Sequence, residues 1–597
     1  MPEFGILRGF SEKTFGDKIV PGQLPRQVGL TGSVQYGFLP FIFTVKTDTV
    51  YGGSTNANQY RLPLFDYTVV LNFSVNWGDG TYDTITSWND PRTTHTYTNP
   101  GTYNISIVGQ VGNWGYLNNQ DRLKITNIVQ WGALTINIWQ GFSGCSNMTC
   151  TATDAPTITS PSLENMFNGC SKFNGAIGNW IMDSVTNISG MFSGCTVFNQ
   201  PLGTWNTANI TNMSSVFLNA TSFNQNIGAW NVEKVTIMDS IFRGSGFNNG
   251  GSPDINNWKT LSLVNMDWMF SQSQFNQPIG SWYTSKVTSM FTLFYFNSVF
   301  NQNIGAWDIS NVTNINYIFN FATAFNNGGS PDINNWNPAK ITTWDSQFNG
   351  AVKFNQPIGG WNMSAATNLN NMFNGCTDFN NGGSSNINNW NVSNVTNMVS
   401  MFGGCTNFNQ PIGSWDVSKV TNMTSMFQGA SKFNQNIGLW GAKTGNVTNM
   451  TNMFTGATVF NNGGSPDINN WDTSKVTTMF FMFVYAYAFN QPIGNWNVAN
   501  VTDMSYMLYS APFNQDIGNW NVSNVTNFYQ FMQEATLANG LSTTNLNKIY
   551  NGWSTRPVKP YINISFANAK FTAAGASGKA ALIGSPNFWT INDGGIQ

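Results

Sequence analysis

From about residue 160 to residue 535, hydrophobic and polar positions follow one phrase repeated many times. The stretch NVSNVTNMVSMFGGCTNFNQPIGSWDVSKVTNMTSMFQGASKFNQNIGLW, residues 391–440, holds two copies of it. Within a copy, N-V-T-N-M is β-branched and alternates apolar with polar, which predicts a short strand. In M-x-x-M-F the apolar residues fall at i, i+3 and i+4, as in Met398, Met401 and Phe402, which predicts one helical turn. Gly closes that turn, and F-N-Q-P-I-G returns the chain with Pro and Gly at the bends. Tryptophans mark fourteen copies, from Trp180 to Trp520, mostly 24 or 25 residues apart with some gaps of 28 to 31. A period of this size predicts a solenoid, each coil of about 25 residues holding a short parallel strand and a helical turn.

Three columns of the repeat have a packing meaning. Asn follows Phe in every copy, from Phe173-Asn174 to Phe513-Asn514. Stacked in register, these amides are expected to bond to one another and to the backbone of the next coil. Cys145, Cys170, Cys195, Cys376 and Cys405 occupy a site that holds Ala430 in another copy, so they read as small buried thiols; Cys150 alone is out of register. The tryptophans recur at one phase and read as core. A longer loop, NNGGSPDINNW, replaces the usual return at 248–258, 326–336 and 461–471, with NNGGSSNINNW at 380–390. Such insertions bulge from one edge.

Outside the array, residues 1–38 are rich in Gly and Pro and read as an N-terminal arm or anchor. Residues 39–135 read as an all-β domain. The array spans 136–535 and includes one coil ahead of the first marker tryptophan. Residues 536–597 begin with LSTTNLNKIYNGW, which predicts a helix capped by Ser542 with Leu546, Ile549 and Tyr550 on its apolar side. A solenoid needs its end coils covered, and this piece is expected to be the cap.

Composition narrows the partners. Charged residues make up 9% of the chain, against about 25% in an average protein. With 25 Lys+Arg against 27 Asp+Glu there is no net field to attract phosphate backbones or anionic lipid, so nucleic acid is not an expected partner. The 15% aromatic content argues against disorder. No run has the length of a membrane-spanning helix, so membrane insertion is not expected. Glu3, Arg8, Glu12, Lys13, Asp17 and Lys18 interrupt the N-terminus where a signal peptide would be apolar, and no export signal is expected there.

The units WDVSKVTNMTSMFQGASKFNQ and WNVSNVTNMVSMFGGCTNFNQ resemble the BspA-like leucine-rich-repeat surface proteins, in their Trp- and Asn-rich branch. VNWGDG at 75–80, followed by THTYTNPGTYNISIVG at 94–109, looks like a PKD-type, immunoglobulin-like sandwich. The resemblance implies a leucine-rich-repeat-like solenoid behind an immunoglobulin-like domain. It also implies an adhesive surface role, on bacteria or on the phages and large viruses that carry similar sequences.

Chemistry is sparse. The one histidine, His95, reads as a structural residue, and no nucleophile, zinc or phosphate-binding motif accompanies it. GGSPD is similar to the turns of calcium-binding β-rolls, but Asp254, Asp332 and Asp467 read more simply as turn residues bonding their own backbone, and so does Asp79 of WGDG. No catalytic, cofactor or metal residue is therefore assigned, and no cofactor is expected. Candidate glycan contacts are the aromatics out of register: Tyr283, Tyr295, Tyr317, Trp344, Tyr485, Tyr487 and Tyr506. The expectation is a non-enzymatic virion surface or fibre protein, docked to other virion proteins by its arm and touching a host protein or glycan. The alternatives are a bacterial cell-surface adhesin and, behind it, a polysaccharide depolymerase. A homo-oligomer, such as a trimer, stays open.

Overall fold

The computed structural model describes residues 27–28, 34–35, 39–67, 70–116, 121–533 and 540–597. Most of the expected arm, 1–38, lies outside the described residues; a two-residue antiparallel pair, Gln27–Val28 with Val34–Gln35, is its described part. The chain divides into two compact units. One comprises the described residues of Met1–Pro161 with Cys170–Ser184; the other comprises Ser162–Gly169 with Val185–Gln597.

The first unit is built on a sheet. Its main strands are β1 (Phe41–Lys46), β2 (Gln59–Arg61), β3 (Asn72–Asn76), β4 (Tyr82–Ile85), β5 (Thr94–Thr96), β6 (Thr102–Gln110), β7 (Ile125–Gln130) and β8 (Thr149–Cys150). Six of them hydrogen-bond in the order β8-β7-β1-β6-β3-β4, while β2 pairs with β5. Alternation along β1 buries Phe41, Phe43 and Val45, and Trp114 meets Phe41 edge-on at 5.1 Å. Strand β7 joins two architectures. It runs antiparallel to β1 on one side and parallel to β8 on the other, so an antiparallel sheet passes directly into parallel stacking. A second device here has no signature in the residue pattern. The buried Lys124 ammonium donates to Thr55 O, Thr55 Oγ1, Asn56 O and Gln59 O at 2.7–3.0 Å, with Asp121 at 3.6 Å. Burial lowers its pKa and Asp121 opposes that, so the paired charge fixes the 55–59 loop.

In the second unit, successive repeats are joined by parallel bridges one residue wide, as at Asn368↔Asn397 and Asn397↔Asn422. The expected strand is reduced to this single rung, and the expected helical turn is absent. After Asn397, alternate N–H groups reach the next repeat: Met398, Ser400, Phe402 and Gly404 donate to the carbonyls of Asn422, Thr424, Met426 and Gln428 at 2.6–3.1 Å. The residues between turn back on their own repeat, with Met401, Gly403 and Cys405 donating to Met398, Ser400 and Phe402 at 3.1–3.3 Å. Left-handed backbone at Ser400 (φ 50°) and Gly404 (φ 68°) makes the alternation geometrically feasible, and it breaks both a strand and a helix.

Side chains repeat the same logic. Phe402 stacks on Phe408 of its own repeat at 4.0 Å and on Phe427 of the next at 5.8 Å, and Trp390 faces Trp415 at 6.0 Å. From Trp230 to Trp520 the marker indole N–H groups donate to the preceding repeat, as Trp415 Nε1 does to Ile387 O at 3.0 Å. The asparagine ladder runs from Asn199 to Asn514, and its bonds go to the backbone of the next repeat, one of the two kinds expected. Each side-chain oxygen accepts from the backbone N–H of the next asparagine, as in Asn434 N to Asn409 Oδ1 at 2.9 Å. Amide-to-amide bonds come from the following glutamine, Gln435 Nε2 to Asn409 Oδ1 at 2.9 Å. The six cysteines are free thiols, and Cys405 Sγ donates to Phe373 O at 2.9 Å.

Both ladders continue into the C-terminal helix α1 (Thr543–Trp553), where Ser542 caps Asn545 N at 3.2 Å and Leu546, Ile549 and Tyr550 are buried. Ser542 N takes the next rung on Asn514 Oδ1 at 2.8 Å, and Trp553 Nε1 donates to Ile517 O at 3.0 Å. Helix α2 (Ala573–Ile583) lies against α1 where Gly578 has no room for a side chain, a Cβ there standing 2.6 Å from the Tyr550 carbonyl carbon.

One repeat breaks the rule. Among the described residues no bridge joins Asn314 to Thr343, and there Trp344 and Gln347 stand in columns that hold Met398 and Met401. Gln347 is fully buried, and neither atom of its amide has a partner. An unpaired buried amide costs about 1–3 kcal/mol. Gln347→Met, which restores the repeat residue, should therefore raise stability by about 1–3 kcal/mol in urea unfolding; a lower midpoint would mean that the amide is paired.

Candidate functional site

Counting from the bridged residue of each repeat, the second, third, sixth and seventh residues form four columns outside the buried Met and Phe columns. In most repeats they are small or polar: Val399, Ser400, Gly403 and Gly404, then Thr424, Ser425, Gln428 and Gly429. Two groups of repeats put aromatic rings there instead.

The first group covers the repeats bridged at Asn265, Ser289 and Asn314. Trp268 meets Phe291 edge-on at 5.6 Å and Tyr295 at 5.9 Å; Phe291 meets Tyr317 at 6.0 Å; Phe296 lies 4.6 Å from both Tyr295 and Phe321. The guanidinium of Arg243 covers the Trp268 ring at 4.0 Å. Tyr317 donates to Asp345 Oδ2 at 3.2 Å, and burial together with that carboxylate raises its phenol pKa. Phe296 and Phe321 remain 46% and 42% exposed.

The second group covers the repeats bridged at Thr478, Asp503 and Asn527. Phe481 lies 4.5 Å from Tyr506, Tyr506 5.5 Å from Tyr529, and Tyr485 5.8 Å from Tyr509. Phe480 joins at the edge, 4.1 Å from Phe481, and Tyr487 at 6.0 Å from Tyr485. Its four columns carry no charged side chain between 478 and 533. The carboxylate of Asp503, in the bridge column, is occupied by Ser505 and Asn527.

The backbone makes these rings unusual. Trp268, Phe296, Tyr317, Phe321, Phe481, Tyr485 and Tyr506 all have φ between 54° and 60°, in columns where other repeats place Gly, Ser or Asn. A bulky residue in that region costs about 1–2 kcal/mol. Packing offers little in return at the exposed positions.

Of the residues singled out from the sequence, Tyr295 and Tyr317 fall in the first group and Tyr485, Tyr487 and Tyr506 in the second. Tyr283 is exposed and has no ring contact among the described residues. Trp344 is a correction: it is fully buried in a Met column and cannot touch a ligand. Sequence reasoning missed Trp268, Phe291, Phe296, Phe321, Phe480, Phe481, Tyr509 and Tyr529. A column-by-column comparison with the consensus would have found them.

The acidic candidates have other work. Asp332 Oδ1 accepts from Asn327 Nδ2 at 2.8 Å and Oδ2 from Asn303 Nδ2 at 2.9 Å. Asp254 is held by Asn249 and Asn226, and Asp467 Oδ2 by Asn436, so the partners are side-chain amides and not chiefly the loop's own backbone. The chain contains its own control. Where the preceding repeat offers Pro357 instead of an asparagine, the loop carries Asn386, whose single oxygen accepts from Asn381 at 2.8 Å. Asp79 accepts from Thr81 N and Oγ1 and pairs with His95 Nε2 at 2.8 Å, while His95 stacks on Trp77 at 4.7 Å. No cluster of three metal-ligating side chains occurs among the described residues.

A family model described as "Mycoplasma protein of unknown function, DUF285" matches five successive stretches, residues 137–252, 246–331, 329–386, 381–465 and 462–574. No curated protein and no solved structure matches the chain.

Two outcomes follow from this geometry. Tyr485→Gly trades ring contacts of about 0.5–1.5 kcal/mol for a similar relief of backbone strain, so stability should change by less than about 1 kcal/mol. Phe483→Ala, in the core column, should cost about 3–5 kcal/mol in the same urea titration; equal losses would make the exposed rings structural. Burial would raise the Asp332 carboxyl, but hydrogen bonds from Asn303, Ser330 and Asn327 outweigh it and hold the pKa below the ordinary value. Its stabilisation is thus present above about pH 3.9 and is lost as pH falls through the lower folded-state pKa. Asp332→Asn should flatten that acid limb and destabilise at neutral pH, and Asn303→Pro added to it should recover stability; a double mutant no better than the single would refute the pairing.

Proposed function

The chain belongs, through residues 137–574, to the family described as Mycoplasma protein of unknown function, DUF285, and on that premise we propose a BspA-like surface adhesin without enzymatic activity. Its frame is a leucine-rich-repeat-type solenoid with a PKD-type, immunoglobulin-like sheet region ahead of it and the α1–α2 segment as its C-terminal cap. The binding elements are the two aromatic groups. What carries the reading is the placement of Trp, Phe and Tyr at left-handed positions where Gly, Ser or Asn would be less strained. Residues that stability does not require, clustered and partly exposed, mark a contact surface. The carboxylates of Asp254, Asp332 and Asp467 support the non-enzymatic part, since each is engaged by asparagine amides. Display on a virion, the location favoured from the sequence, is the finer form of the proposal. It requires stoichiometric recovery with capsid proteins from density-purified particles, and recovery from washed cell envelopes alone would overturn it.

The adhesive role is tested by flow cytometry of the labelled full chain on intact cells that share the source culture. A variant returning four positions to repeat-like residues, Tyr317→Ser, Phe321→Gly, Tyr485→Gly and Tyr506→Ser, should be retained at least about tenfold less, as loss of aromatic anchors does at other interfaces. Equal retention of both proteins, or none of either, would sink the proposal.

A further inference from the structure

The two aromatic groups differ in chemistry. Arg243 lies over Trp268 in the first, and Tyr317 is bound to Asp345. Between residues 478 and 533 the second has neither cation nor anion in its four columns, Glu534 following in sequence, and its rings are chiefly tyrosines: Tyr485, Tyr487, Tyr506, Tyr509 and Tyr529. Rings and phenolic hydroxyls thus alternate on one uncharged surface. A partner with formal charge would lose hydration there without gaining a counter-charge. An apolar partner would leave the hydroxyls unmatched. A pyranose has what this surface offers: an apolar C–H face to lie on a ring, and a rim of hydroxyls to exchange hydrogen bonds with phenols.

The spacing also fits. Rings in neighbouring repeats stand 4.5 Å apart at Phe481–Tyr506 and 5.5 Å at Tyr506–Tyr529. The repeats themselves succeed one another at the strand spacing of about 4.8 Å. That step is comparable to the length of one sugar unit, so a chain laid across the repeats presents a fresh ring at each of them. We propose that the tyrosine-rich face of residues 478–533 binds an uncharged glycan, with successive sugars stacked on Phe481, Tyr506 and Tyr529 and flanked by Tyr485 and Tyr509. The inference rests on the adhesive reading and names the ligand class for one of its two faces.

The test uses the labelled full chain on an array of neutral and acidic glycans. Wild type should bind neutral glycans. Tyr485→Gly with Tyr506→Ser should weaken that binding at least about tenfold, the worth of one good ring contact. Tyr283→Ser, exposed but outside the face, should leave it unchanged. Tyr485→Phe with Tyr506→Phe keeps the rings and should give an intermediate loss, with all variants melting within a few degrees of wild type. Binding confined to acidic glycans, a blank array, or equal binding by wild type and the Gly/Ser variant would overturn the inference. Retention on periodate-oxidised cells separates the two proposals: a blank array with retention intact removes the glycan and leaves adhesion to a protein, whereas no retention on untreated cells removes adhesion itself.

Discussion

A backbone N–H that leaves one repeat needs a carbonyl in the next, and the second unit is organised around that requirement. With a bridge only one residue wide, an ordinary strand ladder cannot meet it. The chain instead sends alternate N–H groups outward to the neighbouring repeat and folds the others back over three residues. Two left-handed residues per repeat make the alternation feasible. The side-chain columns follow from the register this imposes: rings on rings, indole on carbonyl, and asparagine oxygen on the next backbone amide.

How far this was legible depends on the kind of signal. The period, the tryptophan core, the cysteine sites and the Ser542 cap could be read because each is a residue type repeated at one phase. The backbone path could not. Met398, Met401 and Phe402 have helical spacing, but that spacing also arises when every other N–H points to a neighbour and the residues between are turned. Left-handed positions are written as Gly404 in some repeats and as Phe296, Phe321 or Tyr485 in others, so a glycine rule finds only part of them. Trp344 was misread because a tryptophan out of register looks like a surface residue, whereas a Met column can take it at the expense of one bridge.

The long loops show how a departure from consensus can be structural. Asp254, Asp332 and Asp467 each follow a repeat with asparagine in the return loop, and Asn386 follows Pro357. The second carboxylate oxygen is present where an adjacent amide needs an acceptor. The aromatic groups fail that test of local usefulness. They occupy strained backbone, and their rings extend past what the core requires, which is why function is assigned to them and not to the acids.

Between the two aromatic faces lie the exceptional repeat at Thr343, which lacks the bridge to Asn314, and four ordinary ones, bridged at Asn368, Asn397, Asn422 and Asn449. Each of these four bonds to its neighbours through the same columns, so one can be duplicated or lost in a gene without rewriting the rest. The array is then a ruler with a tick of about 4.8 Å. Unequal recombination within these near-identical stretches would alter the gap between the faces in whole ticks. On the adhesive proposal, a lineage could thus retune which pairs of sites it spans while leaving both faces untouched.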